Sequence, residues 1–279
     1  MNETSETAEN KFAPRKKISR IGMASRIDSA LRLHKPTVEG LENLINIPKN
    51  ENLVISTTHL SDIDMEVAVT TVASYRDVSV TSQSINLKNP IVGRIMRWVG
   101  KNEVYGISGK LGKKGTRSLI YRFNPQDYEA MKVPVEKGRA MIIAAHKPAY
   151  EWKLPDKPGL GAIYLAQISR ATILPAAVDV QYPKFIDLHP NNVTGTLKRL
   201  LQRKRLDVKV TFGKPIRLDP IPLEELEIVA KFLNHDERHK MAKDEIEKAK
   251  VTLEKLRLQG SEVMRSLANM LPQNKKGSW

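Results

Sequence analysis

The stretch Leu53–Val69, LVISTTHLSDIDMEVAV, contains the pattern from which the fold is predicted. A β-rich run, Leu53–Thr57, is followed by a polar turn and then by an apolar helical pattern that begins near Ile63. Ser61 or Asp62 stands where a side chain caps such a helix. A strand that passes through a short turn into a helix is the building unit of α/β folds, whose ligands bind beyond the carboxyl ends of the strands.

Outward from this stretch, about residues 36–222 alternate between short β-rich runs and helical patterns. This alternation predicts one α/β domain. The other expected strands are Val78–Thr81, Ala140–Ala144, Ala171–Val178 and Asp207–Phe212. The expected helices are Ile63–Tyr75, Pro90–Val99, Gln126–Lys137 and Gly159–Ser169.

Residues 1–35 form a separate N-terminal segment. Its first dozen residues are polar and predict disorder, whereas Pro14–His34 is a basic amphipathic pattern. Two interpretations stay open. A helix of this kind lies in the interface of an anionic bilayer, or its apolar stripe packs on the domain and its cations form the solvated face. The apolar residues of the pattern are Ile18, Ile21, Ile27, Leu31 and Leu33.

Residues 223–279 form a densely charged C-terminal extension with a helical run from about Asp236 to Leu271. Apolar residues three and four positions apart predict one apolar stripe on a charged rod. This stripe docks on the domain or on a second subunit, and a homodimer through the helix is the sharper of the two alternatives. The stripe consists of Ile246, Leu253, Leu256, Val263, Leu267 and Leu271.

The composition limits the classes of function. With 279 residues, of which 41% are hydrophobic, the chain is long enough for one domain with a sizeable core. No apolar stretch approaches the roughly 18 residues of a membrane-spanning helix, and no signal-peptide pattern is present, so we expect a cytoplasmic protein. The absence of cysteine excludes disulfides, thiolate nucleophiles and cysteine-bound zinc.

The charge indicates the kind of partner. A formal net charge of +15 predicts a negative partner surface, which is offered by nucleic acid, an anionic bilayer or a phosphorylated substrate. Aromatic residues make up 5% of the chain and do not alternate with lysine and arginine in the way that stacks single-stranded bases. We therefore expect no nucleic-acid partner and favour peripheral association with an anionic membrane surface.

His59 and Asp64 are the candidate catalytic residues. His59 falls in the turn after the strand and Asp64 in the first turn of the helix, so we expect the carboxylate to reach one imidazole nitrogen. A carboxylate in this place fixes the tautomer of the ring and stabilises the imidazolium, which makes the ring a general base. Such a pair requires no metal or other cofactor. Taken alone, a histidine five residues before an aspartate is a weak signal, and a structural pair is the alternative.

The residues around this pair resemble the glycerolipid acyltransferases, typified by lysophosphatidic acid acyltransferases. The first motif of that family is a histidine, four residues and an aspartate, which matches His59 to Asp64. Further matches follow in the order of the family's motifs. They are Val38–Leu44, Pro90, Gly93 and Gly100 before the second motif, Gly138 and Ala140–Ala144 before the third, Lys157–Gly159 after it, Leu174–Val178 as the fourth, and Val208–Ile216 as the closing strand.

The resemblance implies a single domain whose central mixed sheet is flanked by helices, followed by the C-terminal helical extension. It implies transfer of a fatty acyl group from acyl-CoA or acyl carrier protein to a hydroxyl of a lysophospholipid, such as 1-acylglycerol 3-phosphate, in phospholipid biosynthesis. His59 and Asp64 are then the general base pair. Two alternatives stay open: a lipid acceptor without a phosphate, and a catalytically inactive protein that binds anionic lipid as a scaffold.

The chain departs from the family at the motifs thought to hold the phosphate of the acceptor. The third motif, Pro-Glu-Gly-Thr-Arg-Ser in the family, reads AHKPAY over Ala145–Tyr150, and the arginine of the second motif is absent from Asn102–Lys110. Cations near both places are candidate replacements, and glycines near the second allow backbone amides to approach an anion. The alternatives are a solvated surface loop and a surface histidine. The candidate substrate-binding residues are Ser61, His146, Lys147, Lys110 and Lys113.

Overall fold

A computed structural model of the protein describes most of the predicted domain and its C-terminal extension. The predicted helix Pro90–Val99 and the candidate residue Lys113 lie outside the described residues. The described ranges are 19–31, 35–61, 63–83, 103–107, 109–111, 119–121, 123–147, 152–181 and 206–279.

A mixed sheet of seven strands forms the centre of the described part of the chain, in the order β1-β9-β8-β2-β7-β3-β4. Neighbouring strands from β8 to β4 are parallel, whereas β9 pairs antiparallel with β8 and parallel with β1. A separate antiparallel pair, β5 with β6, follows β4 in the chain. The strands are β1 (Thr37–Glu39), β2 (Leu53–Thr57), β3 (Val78–Gln83), β4 (Val104–Ile107), β5 (Gly109–Leu111), β6 (Leu119–Tyr121), β7 (Ala140–Ala144), β8 (Thr172–Gln181) and β9 (Asp207–Phe212).

Helices cover both faces of the sheet, because alternate residues of the central strands are buried on opposite sides. In β2, Leu53 and Ile55 enter the core beneath α2 and α3, and Val54 enters the core beneath α4, α5, α6 and α8. The predicted α/β fold with a central mixed sheet flanked by helices is therefore confirmed. The helices are α1 (Arg20–Leu31), α2 (Leu41–Ile45), α3 (Asp64–Val72), α4 (Pro125–Glu136), α5 (Gly161–Ile168), α6 (Leu223–Leu233), α7 (His235–Arg238) and α8 (Lys243–Asn269).

The bounds of three predicted strands agree fully with the structure. β2, β7 and β9 have the predicted bounds, and β8 runs three residues further than predicted, to Gln181. The helix predicted from Ile63 begins instead at Asp64, with Ile63 as its N-cap residue, and ends at Val72. Of the two predicted capping residues, Asp62 lies outside the described residues. Ser61 does not cap the helix, because Ile63 is the N-cap residue and the Ser61 hydroxyl donates to Asp64.

The C-terminal extension docks on the domain, which was one of the two predicted alternatives. α8 packs on α6, α5 and β8, and its apolar stripe lies in the core of that face. A single helix, Lys243–Asn269, replaces most of the predicted run, and the short α7 precedes it. The predicted homodimer stays a prediction, and it would have to use an outer face of α8, on which Val251 and Leu258 are exposed.

The N-terminal helix α1 also packs on the domain. It lies against α3 through a face that includes Ile21 and Ser25, and the Arg26 guanidinium donates to the Ser74 hydroxyl at 2.7 Å. Ile27 does not share this face. It lies six positions after Ile21, which corresponds to a rotation of about 240° around the helix axis. Ile27 is instead 58% exposed beside Met23, which is 56% exposed, so the predicted single stripe is divided between two faces.

Candidate active site

His59 lies at the carboxyl end of β2, the central strand of the sheet. Thr58, the residue before His59, holds the loop after β2 against β8. Its N–H donates to the Ala176 carbonyl at 3.3 Å, and its hydroxyl accepts from the Val178 N–H at 2.9 Å. On the other side, the Ala145 N–H donates to the Thr57 carbonyl at 2.8 Å. The loop is therefore held between the ends of β7 and β8, where a parallel sheet commonly binds its ligand.

The imidazole of His59 is half-buried, and its Nδ1 lies 3.2 Å from the Ser61 carbonyl oxygen. A carbonyl oxygen can only accept a hydrogen bond, so Nδ1 holds the proton of the neutral ring and Nε2 holds the lone pair. The loop itself thus fixes the tautomer that a general base at Nε2 requires.

Asp64 is fully buried in the first turn of α3. Its Oδ2 accepts the Leu60 N–H at 2.7 Å, and its Oδ1 accepts the Ser61 hydroxyl. This arrangement differs from the predicted direct contact with the imidazole, because the carboxylate closes the turn around His59 and the Ser61 carbonyl faces the ring. Asp64 therefore holds the backbone that orients His59.

The burial of Asp64 makes its ionisation unfavourable. Burial raises the pKa of this carboxyl from its ordinary 3.8 to about 7, although hydrogen bonds from Ser61 and Leu60 and the positive charge of Lys275 lower it. A carboxyl with so perturbed a pKa, in the turn that contains His59, makes this turn a candidate functional site.

The loop after β7, which contains the altered third motif, reaches the same place. His146 is only 3% exposed, and its Nε2 accepts the His59 N–H at 3.2 Å. Its neighbour Lys147 is exposed. Gly159 closes this loop, since its N–H donates to the Ala145 carbonyl at 2.7 Å and an added Cβ would lie 2.8 Å from the same oxygen.

The structure brings four of the predicted site residues together: His59, Ser61, Asp64 and His146. Ser61 is buried, and its hydroxyl is used by Asp64, so its substrate-binding role stays a prediction. Lys110 lies on β5. Within the described ranges, no group of three or more histidine, aspartate or glutamate side chains is placed to hold a metal ion.

Lys275 and Trp279, near the C-terminal end, make contacts with the domain that the sequence does not predict. The Lys275 ammonium contacts Asp179 Oδ1 at 2.5 Å and the Val180 carbonyl at 2.8 Å, at the end of β8, and its backbone carbonyl accepts the Leu154 N–H at 2.9 Å. The Trp279 indole donates to the Pro155 carbonyl at 2.8 Å. No local sequence pattern indicates these contacts, because 96 residues separate Asp179 from Lys275.

Lys275→Met is expected to destabilise the protein by about 3 kcal/mol, because it leaves the Asp179 carboxylate buried without its partner. Both side chains are nearly buried, at 12% and 11% exposure. Lys255→Met is the matched control, since its pair with Glu225 is more exposed and contributes no more than about 1 kcal/mol. Urea unfolding of both variants measures the difference. Equal midpoints for the two variants would contradict the structural importance of the buried pair.

Two clefts of the described region lie at the opposite, amino-terminal edge of the sheet. The larger has a volume of about 570 Å³ and lies between Lys49, Arg76 and Lys137. The smaller includes Asn43, Glu51 and Thr172. We assign neither to the substrate, because ligands of open α/β sheets bind at the carboxyl ends of the strands, where His59 lies.

The fold and the site define an α/β protein with a histidine and a buried aspartate at the carboxyl end of its central strand. No protein-family model matches the sequence, and no curated protein is significantly similar to it. Among solved structures, the chain is similar to the 1-acyl-sn-glycerophosphate (LPA) acyltransferase PlsC from Thermotoga maritima. The TM-score is 0.46 and the sequence identity 13%, over 80% of this chain and 79% of that chain.

Proposed function

We propose that this protein is an O-acyltransferase that transfers a fatty acyl group from acyl-CoA or acyl carrier protein to a hydroxyl of a lysophospholipid. The observation that supports the proposal most strongly is the placement of His59 at the end of the central strand, in a turn closed by the buried Asp64. An oriented imidazole in this place can serve as a general base toward a ligand at the carboxyl ends of the strands. The order of the further sequence matches to glycerolipid acyltransferases supports the same reaction.

The proposed reaction uses the lone pair on His59 Nε2. The imidazole takes the proton of the acceptor hydroxyl while the oxygen attacks the carbonyl carbon of the thioester. The tetrahedral intermediate collapses, the carbon–sulfur bond breaks, and the departing thiolate takes the proton from the imidazolium. The products are an ester and a free thiol, so no metal or acyl-enzyme is needed. The negative charge of Asp64, across the turn, stabilises the imidazolium.

We propose that Lys147, Lys110 and Lys113 bind the negative part of the substrate. Lys147 is exposed on the loop that touches His59, and Lys110 lies on β5, with Lys113 further along the same basic stretch. Lysine binds phosphate as a point charge without the forked geometry of arginine. An acceptor such as 1-acylglycerol 3-phosphate would fit these cations, and a lipid without phosphate is the alternative because the family's arginines are absent.

We further propose that the protein associates peripherally with an anionic membrane surface on the cytoplasmic side. Within the described ranges, no helix is both long and apolar enough to cross a bilayer. The exposed pair Met23 and Ile27 lies on the outer face of α1, beside the exposed Arg20. Apolar side chains next to cations are the features that place a helix in an anionic bilayer interface.

The double substitution Met23→Glu with Ile27→Glu is expected to weaken binding to anionic vesicles by about tenfold or more, because it removes apolar insertion and adds negative charge. Val133→Glu is the matched control, since Val133 is 49% exposed on α4, which covers the opposite face of the sheet. Vesicle co-sedimentation measures both. If the two variants bind equally well, α1 is not the membrane contact.

The proposed reaction is tested by thiol release. Because the chain contains no cysteine, a thiol reagent detects only the CoA freed from acyl-CoA. Release that requires added 1-acylglycerol 3-phosphate supports a phosphorylated acceptor, and release that requires a monoacylglycerol supports the acceptor without phosphate. If no lysolipid stimulates release from acyl-CoA, and acyl carrier protein also fails as donor, the protein is not an acyltransferase and the lipid-binding scaffold is favoured.

A further inference from the structure

His146 joins the loop that contains His59 to the loop after β7. Its Nε2 accepts the backbone N–H of His59 at 3.2 Å, and its Nδ1 lies 2.7 Å from the Lys147 carbonyl oxygen. Because that carbonyl oxygen can only accept, Nδ1 holds the proton and Nε2 the lone pair. Both ring nitrogens are thus used within the protein, in the only pattern that satisfies both partners.

The surroundings keep this ring neutral. Burial lowers the pKa of His146 to about 4, although the Lys147 carbonyl raises it, and the nearby His59 lowers it further. A protonated ring would also turn an N–H toward the His59 N–H, and two donors repel each other. At neutral pH the ring therefore stays in the accepting form.

This chemistry suits orientation better than charge recognition. A neutral, 3% exposed imidazole offers no positive charge to a phosphate, whereas Lys147 next to it is exposed. The Nε2 atom of His146 contacts the backbone N–H of His59. A shift of about 1 Å in the position of a catalytic group can cost about 100-fold in rate.

We propose that His146 is a positioning residue that fixes the backbone of His59 and so sets the place of the base relative to the loop of Lys147. The expected effect on kcat rests on the proposed acyl transfer. The fixing of the His59 backbone rests on the hydrogen bonds alone. It also gives a role to the residue that stands in the altered third motif. His146 links the base to the loop that presents the exposed lysine.

Two amide variants of His146 separate the two hydrogen bonds. The side-chain oxygen of glutamine reaches the place of Nε2 and can accept the His59 N–H, whereas asparagine reaches only the place of Nδ1. His146→Gln is expected to keep kcat within about threefold of wild type. His146→Asn is expected to lower kcat by about 10- to 100-fold, with the KM values of both substrates nearly unchanged. Hydrogen exchange of the His59 amide, followed by NMR, should accelerate in the asparagine variant alone.

The outcomes are distinct from those of the proposed function. An asparagine variant with wild-type kcat and a protected His59 amide would overturn the inference, as would equal losses in both variants. In the wild-type protein, a through-hydrogen-bond NMR coupling between the His59 amide nitrogen and His146 Nε2 is expected, and its absence would also overturn the inference. If wild-type protein transfers no acyl group, the proposed function fails, while the coupling and the amide exchange still decide the role of His146.

Discussion

His59→Ala is expected to lower the rate of acyl transfer by about 100- to 10,000-fold, which is the usual contribution of a positioned general base. Folding should be little affected, because His59 is half-buried in a loop, where its Nδ1 lies 3.2 Å from the Ser61 carbonyl oxygen. Loss of one hydrogen bond costs about 1 kcal/mol. The substitution should therefore lower kcat strongly, while the thermal unfolding midpoint falls by no more than about 4 °C.

His239→Ala is the control for this substitution. His239 is exposed in the turn after α7 and lies far along the chain from the site, so its removal should leave the rate within about twofold of wild type. Initial rates at saturating acyl donor compare the two variants. Wild-type activity in His59→Ala would show that the imidazole is not the general base of the reaction.

Asp64→Asn is expected to produce a more stable but much less active protein. The asparagine oxygen can still accept the Leu60 N–H, and its amide can donate to the Ser61 hydroxyl, so the turn keeps its form. The variant has no charge to bury, and it loses the negative charge that stabilises the His59 imidazolium. We expect a fall in kcat of about 10-fold or more.

The stability gain of Asp64→Asn should depend on pH in a defined direction. Burial raises the pKa of Asp64 from 3.8 to about 7, so the folded protein binds this proton more tightly than the unfolded chain does. The wild type therefore loses stability as the pH rises from about 4 to about 7, whereas the variant does not. Above pH 7 the difference should reach at most about 4 kcal/mol in favour of asparagine.

Urea unfolding at pH 5 and pH 8 measures this dependence. A variant that is less stable than wild type at both values would show that Asp64 serves to cap the turn. Wild-type activity in a stabilised variant would show that its charge has no part in the reaction. The pH profile of kcat gives an independent reading. In the wild type it should contain a step near the pKa of Asp64, about 7, and this step should be absent from the variant.

The sequence predicted the elements whose residues obey one simple pattern. β2 and β7 are apolar on both faces, as strands in the centre of a covered sheet must be, and their bounds agree with the structure. The strands β1, β4, β5 and β6 were not predicted, because three or four residues are too few for a pattern to repeat. The predicted stripe of α1 is divided because Ile21 and Ile27 lie about 240° apart around the helix axis.

The hydrogen bonds around the candidate site differ from those that the sequence predicts. His59 and Asp64 were located from their spacing, whereas the structure places the Ser61 carbonyl at the ring and Asp64 behind the turn. A turn of this length has several ways to satisfy its polar groups, and side-chain packing selects among them. The contacts of Lys275 could not be predicted, because they depend on how a distant segment docks.

The most direct test of the proposed function is product analysis by mass spectrometry. Purified wild-type protein and His59→Ala are each mixed with acyl-CoA and a pool of lysolipids, and acyl carrier protein is tried as a second donor. A new diacyl lipid that forms with the wild type and not with His59→Ala is the predicted result, and its head group identifies the acceptor. A product formed equally by both proteins, or by neither with either donor, would contradict the assignment of His59 as the base of an acyltransferase.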